Sequence, residues 1–383
     1  MANGAELSED LNKCTTSVVK TEDREEDDAA EPIFPPEIVI EILCWLPVRS
    51  LAKLQLVCKE WRGFIRGRYL MERNKDRREV MCRWQNSTAA AQDDPAKENL
   101  NEENFTLLDC CDGLLLTKIP HTMKLAIWNP TTRGLLRLPD LHEGAFGVTF
   151  SYVKSRGNYL VVSIYLDKSD REGCEVLTPG QKESWRPLAF PDVLGLDEKQ
   201  LAVDVVSTRE AVHTVLILRV GSTVVGKVVS LDLETECFTV TCFPEMKFQN
   251  WRTIWPVEWN GKVALTNLVG NNLHVTELED YKKQRWCQKH RVIPLSFLPE
   301  GDDELNSTFV TLLAQDGEIW FTFKEAYMFV YSIETGHHFQ ITNSKGLPPA
   351  DILYLYKPTL VGLQGMQQDP QFGKLFSSSL KLD

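Results

Sequence analysis

An α+β chain of several domains, with a short helical module ahead of an all-β body, is the fold class that three observations predict. Between Phe34 and Ile65 the apolar residues keep a helical beat that is bounded by prolines. From about Phe105 onward the chain breaks into short runs rich in β-branched and aromatic residues, among them LAIWN, YLVVSIYL, TVLILRVG, KVALTNL and EIWFTF. A phrase end, an apolar residue followed by proline, recurs at Leu138-Pro139, Phe190-Pro191, Phe243-Pro244, Ile293-Pro294 and Leu347-Pro348, with the prolines 52, 53, 50 and 54 residues apart.

The helical module comes first. Pro35 and Pro36 pre-set a first helical turn, where a missing amide donor costs nothing, and Glu37 and Glu41 suit its positive end. Ile38, Ile42, Leu43 and Leu46 share one face, and Pro47 stops this helix after about ten residues. Ser50 is the expected N-cap of a second helix carrying Leu51, Leu54 and Val57, and Trp61, Phe64 and Ile65 give a third apolar face next to Cys58. Three helices in so short a stretch cannot bury this much apolar surface among themselves, so part of it is expected to meet another protein.

The all-β body follows from the period. About four strands per unit and a repeat near fifty residues are the pattern of a kelch-like β-propeller, in which each blade buries its faces by stacking on its neighbours. Five blades are readable and a sixth is allowed. Turn pairs Asp112-Gly113, Asn260-Gly261 and Asp316-Gly317 open apolar runs, while Asn129-Pro130-Thr131, Asp232-Leu233-Glu234-Thr235 and Ser332-Ile333-Glu334-Thr335 precede the last strand of their units. The run Tyr354 to Leu363 is expected to pair back onto the first blade near Phe105 to Leu116 and close the ring, which removes open strand edges. A two-sheet sandwich would accommodate the same strands, but not the spacing.

Composition bounds the rest. The 383 residues suit two or so domains, and 43% hydrophobic content is ample for a core. No apolar run approaches the length of a membrane span and the N-terminus is acidic, so a soluble intracellular protein of the cytoplasm and/or nucleus is expected, without a membrane partner. Residues 1–31 hold ten acids against Lys13, Lys20 and Arg24 and read as a disordered acidic tail. Residues 32–80 then comprise the helices and a basic extension, in which the charge of residues 59–83 reads as a solvated connecting helix, since no nucleic-acid motif accompanies it. A polar linker is expected at 81–104, the β body at 105–365 and a flexible tail at 366–383. The ten cysteines lack framework or zinc spacing, and the seven histidines lack a triad-like context, so neither metal, cofactor nor catalytic residues are expected.

The phrases Pro35, Glu37, Ile42-Leu43, Leu46-Pro47-Val48-Arg49-Ser50-Leu51 and Val57-Cys58-Lys59-Glu60-Trp61-Arg62 resemble an F-box, the motif that docks its protein onto a Skp-type adaptor of a cullin ubiquitin ligase. Phe34 and Trp45 depart from the usual pattern, and both add apolar surface. Asp112-Gly113-Leu114-Leu115-Leu116, Ile127 to Arg133 and Leu138-Pro139, with Trp320 and Tyr331 to Glu334 matching more loosely, resemble the F-box-associated domain of a large plant family. The resemblance implies a substrate-recognition subunit of a Skp–cullin–F-box ubiquitin ligase. Its adaptor would bind Phe34, Pro35, Ile38, Ile42, Leu43, Leu46, Pro47, Leu51, Leu54, Val57, Cys58 and Trp61, and its β body would bind an unknown target protein. A non-degradative scaffold that uses the helices for another partner is the alternative. Trp128 reads as a blade core residue, and loops 167–174 and 268–273 are the places to look for target contacts.

Overall fold

The computed structural model describes residues 34–74, 79–84, 106–118, 123–168, 171–181, 184–193, 195, 198–244, 254–288, 290–298, 310–315, 317–323, 327–341 and 350–368. The chain divides into two compact units, Met1–Ile42 and Leu43–Asp383. The expected acidic tail, the C-terminal tail beyond Gln368, most of the linker, Asp316 and the Leu347-Pro348 phrase end lie outside the described residues.

Helix α1 (Pro36–Cys44) begins as the prolines dictate, with Ile38 and Val39 both donating to the Pro35 carbonyl. Helix α2 (Val48–Leu54) starts at Val48, with Pro47 in the N-cap position and no side-chain cap, so Ser50 lies inside the helix rather than capping it. Proline's fixed φ sets the entry angle, which leaves the serine no capping role. Val57 falls in the turn after α2. Helix α3 (Lys59–Arg66) is capped by Cys58, whose Sγ accepts from the Trp61 amide at 3.4 Å, and α4 (Arg68–Arg73) follows after Gly67.

Part of the basic stretch is strand rather than helix: β1 (Glu79–Trp84) pairs antiparallel with a strand that begins at Ala350. Long-range pairing decides its conformation here, overriding the local charge pattern.

The all-β region is a ring of blades. Blade 1 holds β2 (Thr106–Cys111), β3 (Leu114–Lys118), β4 (Leu125–Asn129) and β5 (Gly134–Leu138). Blade 2 holds β6 (Ala145–Val153), β7 (Asn158–Leu166), β8 (Glu172–Leu177) and β9 (Arg186–Leu188). Blade 3 holds β10 (Glu198–Ser207), β11 (Ala211–Val220), β12 (Thr223–Asp232) and β13 (Phe238–Cys242). Blade 4 holds β14 (Ile254–Trp259), β15 (Lys262–Val269) and β16 (Asn272–Asp280), with β17 (Arg285–Trp286) and β18 (Arg291–Pro294) both pairing with β16. Blade 5 holds β19 (Val310–Gln315), β20 (Glu318–Phe323), β21 (Tyr327–Ser332) and β22 (His338–Ile341), and β23 (Ala350–Tyr356) pairs with β1 as blade 6.

First strands lie side by side in the order β2, β6, β10, β14, β19, β23, and β23 returns to β2, so the ring closes on six. Side chains alternate between neighbours as the pleat requires. Tyr159 and Val161 of β7 pack with Leu114, Leu116 and Ile127 of blade 1, while Leu160, Val162 and Ile164 of the same strand pack with Val212 and Leu231 of blade 3.

The repeating marks acquire physical roles. Leu138, Phe190, Phe243 and Ile293 each enter an interblade core, and the proline after each stands at or just past the last strand of its own repeat unit, where its missing amide breaks no inner ladder. Asp112-Gly113 and Asn260-Gly261 have positive φ at both residues, the tight turn whose twist suits a two-residue hairpin.

Closure differs from the expectation in its partner. Residues 350–356 pair with β1, not with 105–116, because β2 is already occupied by β3 as the first strand of its own blade. Beyond Tyr356 the chain does reach blade 1: Val361, Leu363 and Met366 pack on its core, and β24 (Gln367–Gln368) pairs with β5, so the strand extends past the expected start of a flexible tail.

Candidate partner-docking surfaces

In the first unit Phe34, Ile38 and Ile42 are exposed large apolar side chains, and Pro35 is exposed. In the second unit Trp45, Leu56 and Val57 are exposed, Trp45 by 65% and Leu56 by 79%. Pro47 and Cys58 are also exposed, and Leu46, Leu54 and Trp61 are half-buried.

Two expected docking residues occupy a different place. Leu43 and Leu51 are 1% and 2% exposed and belong to the chain's own core with Cys44, Val48, Ile65 and Leu70, so they present no surface to a partner. Their helical spacing marks an apolar face but cannot say whether that face looks inward. Trp45 and Leu56, absent from the expected docking set, are more exposed than its large apolar side chains Phe34, Ile38, Ile42 and Val57. Leu56 sits in the turn after α2, off the helical beat that drew attention to its neighbours.

The geometry of this turn is fixed by cations that do not need an acid. Arg62 donates from Nε to the Gln55 carbonyl at 3.1 Å, and Arg66 donates to the Gln55 side-chain oxygen at 3.0 Å. Asn74, buried after α4, donates to the Leu46 carbonyl at 3.0 Å and accepts from Lys357 Nζ at 2.6 Å. The residue that ends the helices is therefore tied directly to the strand end that closes the ring.

Within the ring, the turns between third and fourth strands share one device. Asn129 accepts from the amides of Thr131 and Thr132, Asp232 from those of Glu234 and Thr235, Asp280 from that of Lys283, and Ser332 from that of Thr335. Four residues after each, Arg133, Glu236, Gln284 and Gly336 adopt positive φ. The Asp280 copy escaped sequence reading because it lacks the threonine of the other three.

Buried titratable groups follow from the same construction. His213 lies between Ser230 and Thr208, and burial pushes its imidazole down to about 4, so it is a neutral core residue. Burial would raise the Asp232 carboxyl, but Lys282, the Thr235 amide and the Tyr281 hydroxyl together hold it well below the usual carboxylate range. Asp109 of β2 accepts from the Cys110 amide and, across to blade 2, from the Phe150 amide, both at 2.7 Å; burial outweighs these bonds and pushes it up to about 7. Among the described residues no group of three or more histidine, cysteine or acidic side chains is placed to hold a metal, and no helix is long and apolar enough to cross a membrane.

The described residues of 167–174 and 268–273 lie where a second strand gives way to a third, so these two stretches are at the same end of their blades. The opposite end carries the Asp112-Gly113 and Asn129 turns and the residues after Tyr356.

Comparison with known families matches residues 34–75 to the F-box-like family and residues 70–351 to the F-box associated beta propeller domain family. The chain belongs to the F-box-associated β-propeller family. It is an F-box protein of the plant type, with the F-box helices ahead of the associated domain. Similar proteins in Arabidopsis thaliana include one named as an F-box protein, At5g50220, at 29% identity over 48% of this chain and 52% of its own length. The F-box/kelch-repeat protein At3g44120 is 26% identical over 40% of this chain and 47% of its own. The chain thus spans about half the length of these relatives in each match. A third, F-box/WD-40 repeat-containing protein 1, is 32% identical over 26% of each chain.

Proposed function

We propose that this F-box protein is the substrate-recognition subunit of a Skp–cullin–F-box ubiquitin ligase, working in the cytoplasm and/or nucleus. The observation that carries the reading is the exposure of Trp45, Leu56 and Val57, large apolar side chains of the F-box match, while Leu43, Val48, Leu51 and Ile65 of the same unit are already buried. Apolar side chains left outside a filled core are available to a second protein. The adaptor occupies them and links the chain to a cullin, and the propeller holds a target protein.

The chain's contribution to ubiquitin transfer is proximity. Holding a target beside a charged enzyme raises its effective concentration, so none of this chain's own side chains needs to take part in the chemistry. Co-purification with a Skp-type adaptor tests the docking half. Leu46→Ala with Pro47→Ala is expected to abolish it, since central interface anchors each cost ~2 kcal/mol or more on truncation. Undiminished adaptor capture by that double variant overturns the assignment. Target half-life that lengthens when the proteasome is blocked tests the degradative half; an unchanged half-life favours a scaffold.

A further inference from the structure

At the end of the ring where second strands turn into third strands, blades 3 and 4 present side chains that the fold itself does not use. Lys199, Arg219 and Val224 stand opposite one another across β10, β11 and β12, and so share one face of blade 3. That face packs on blade 4, for Val215, Ile217 and Val228 on it share a core with Val263 and Leu265 of β15. Val269 ends β15 in the same alternation as Val263 and Leu265, and therefore looks back towards blade 3. Deeper between the blades the space is filled by Phe243, whose ring covers Gly226 and meets Trp286 edge-on. At the rim Val224 and Val269 remain 37% and 41% exposed, and Lys199 and Arg219 are exposed.

Like charges placed directly opposite on a sheet oppose its stability. Neither Lys199 nor Arg219 forms an ion pair with a described residue, in a chain whose net charge is -12. Glu198, next in sequence, is already spent, accepting from Lys227 Nζ at 2.6 Å and from the Gly195 amide at 2.9 Å. Beside the two cations β12 has an edge that no described residue pairs with. Outer strand β13 pairs with β12 from Lys227 onward, and the Phe243 amide bonds to the Gly226 carbonyl, which leaves Thr223, Val224 and Val225 exposed ahead of it.

We propose that this rim docks an extended, acidic segment of the target protein, laid along the edge of β12 at Thr223 to Val225. Its carboxylates meet Arg219 and Lys199, and its apolar side chains cover Val224 and Val269. Edge addition supplies backbone hydrogen bonds without regard to sequence, and the charge pair supplies the choice of segment. The inference rests on the reading of the propeller as a target receptor and names what that receptor selects.

The test uses the full chain bound to its adaptor and a fluorescent peptide of alternating valine and glutamate, with a valine–lysine peptide as the counterpart. Anisotropy is expected to show binding of the acidic peptide alone, weakening with added salt. Lys199→Ser with Arg219→Ser is expected to weaken it roughly tenfold, as loss of two exposed charge contacts allows. Lys199→Glu with Arg219→Glu is expected to transfer preference to the lysine peptide. Equal binding of the two peptides, binding of neither, or acidic-peptide affinity that survives charge reversal overturns the proposal. Adaptor capture is measured on the same samples: intact capture with no charge preference refutes this site alone, whereas failed capture refutes the ligase reading independently.

Discussion

Asn129 donates from its side-chain amide to the carbonyl of Val361, 232 residues further along the chain and 2.7 Å away. The same amide also reaches the Thr359 carbonyl at 3.1 Å, while its oxygen caps the Thr131 and Thr132 amides. One fully buried side chain thus shapes a blade 1 turn and fastens the segment that follows the ring-closing strand.

Asn129→Ala should therefore lower stability by about 2–3 kcal/mol, because it strands buried carbonyls as well as removing bonds. Denaturant midpoints of the variant, of a chain ended after Tyr356, and of the two changes combined provide the check. The pair should cost less than the sum of the singles, since both remove the same contact.

Ring closure through β1 makes a second expectation. A fragment starting at Phe105 lacks the partner of β23 and should be markedly less protected against proteolysis than one starting at Glu79, although both contain every strand from β2 to β24. Equal protection of the two would show that blade 6 needs no second strand.

The F-box residues divide by burial. Leu51→Ala should cost about 2–5 kcal/mol of stability, as truncation in a filled core does. Leu56→Ala should leave the unfolding midpoint nearly unchanged while weakening adaptor capture, because Leu56 is exposed. Paired thermal-melt and binding measurements separate the two.

Two carboxyls should move stability with pH in opposite directions. Asp109, pushed up to about 7 from an ordinary value near 3.8, binds its proton more tightly folded than unfolded. Its contribution is present below about pH 4 and is lost as pH rises towards 7, each tenfold gain in proton affinity being worth about 1.4 kcal/mol. The stability difference between the natural chain and Asp109→Asn should fall across that window. Asp232 is held down instead, so its contribution is present above the ordinary carboxylate value and lost as the solution is acidified below it. The difference against Asp232→Asn should accordingly shrink on acidification, and unfolding midpoints taken at successive pH values give both signs.

Much of this was legible from residue order. The F-box phrases, the strand runs, the Asp112-Gly113 and Asn260-Gly261 turns and the apolar-proline phrase ends are local signals, written by backbone preferences that act over a few residues. Trp128 proved to be a core residue, and Asn129 to Thr131 a turn. The strand Glu79–Trp84 was not legible, because its charge pattern suits a helix and its strand partner lies some 270 residues away.

The sequence by itself determined the module order, the blade period and the turn chemistry, since each depends on neighbours along the chain. Only the tertiary structure decided that Leu43 and Leu51 look inward, that β1 supplies the second strand of the last blade, and that Lys199 and Arg219 face each other with no described counterion. Periodicity marks which residues share a face, but burial, strand partnership and charge balance depend on what folds against that face, and that is set by residues far away in the chain.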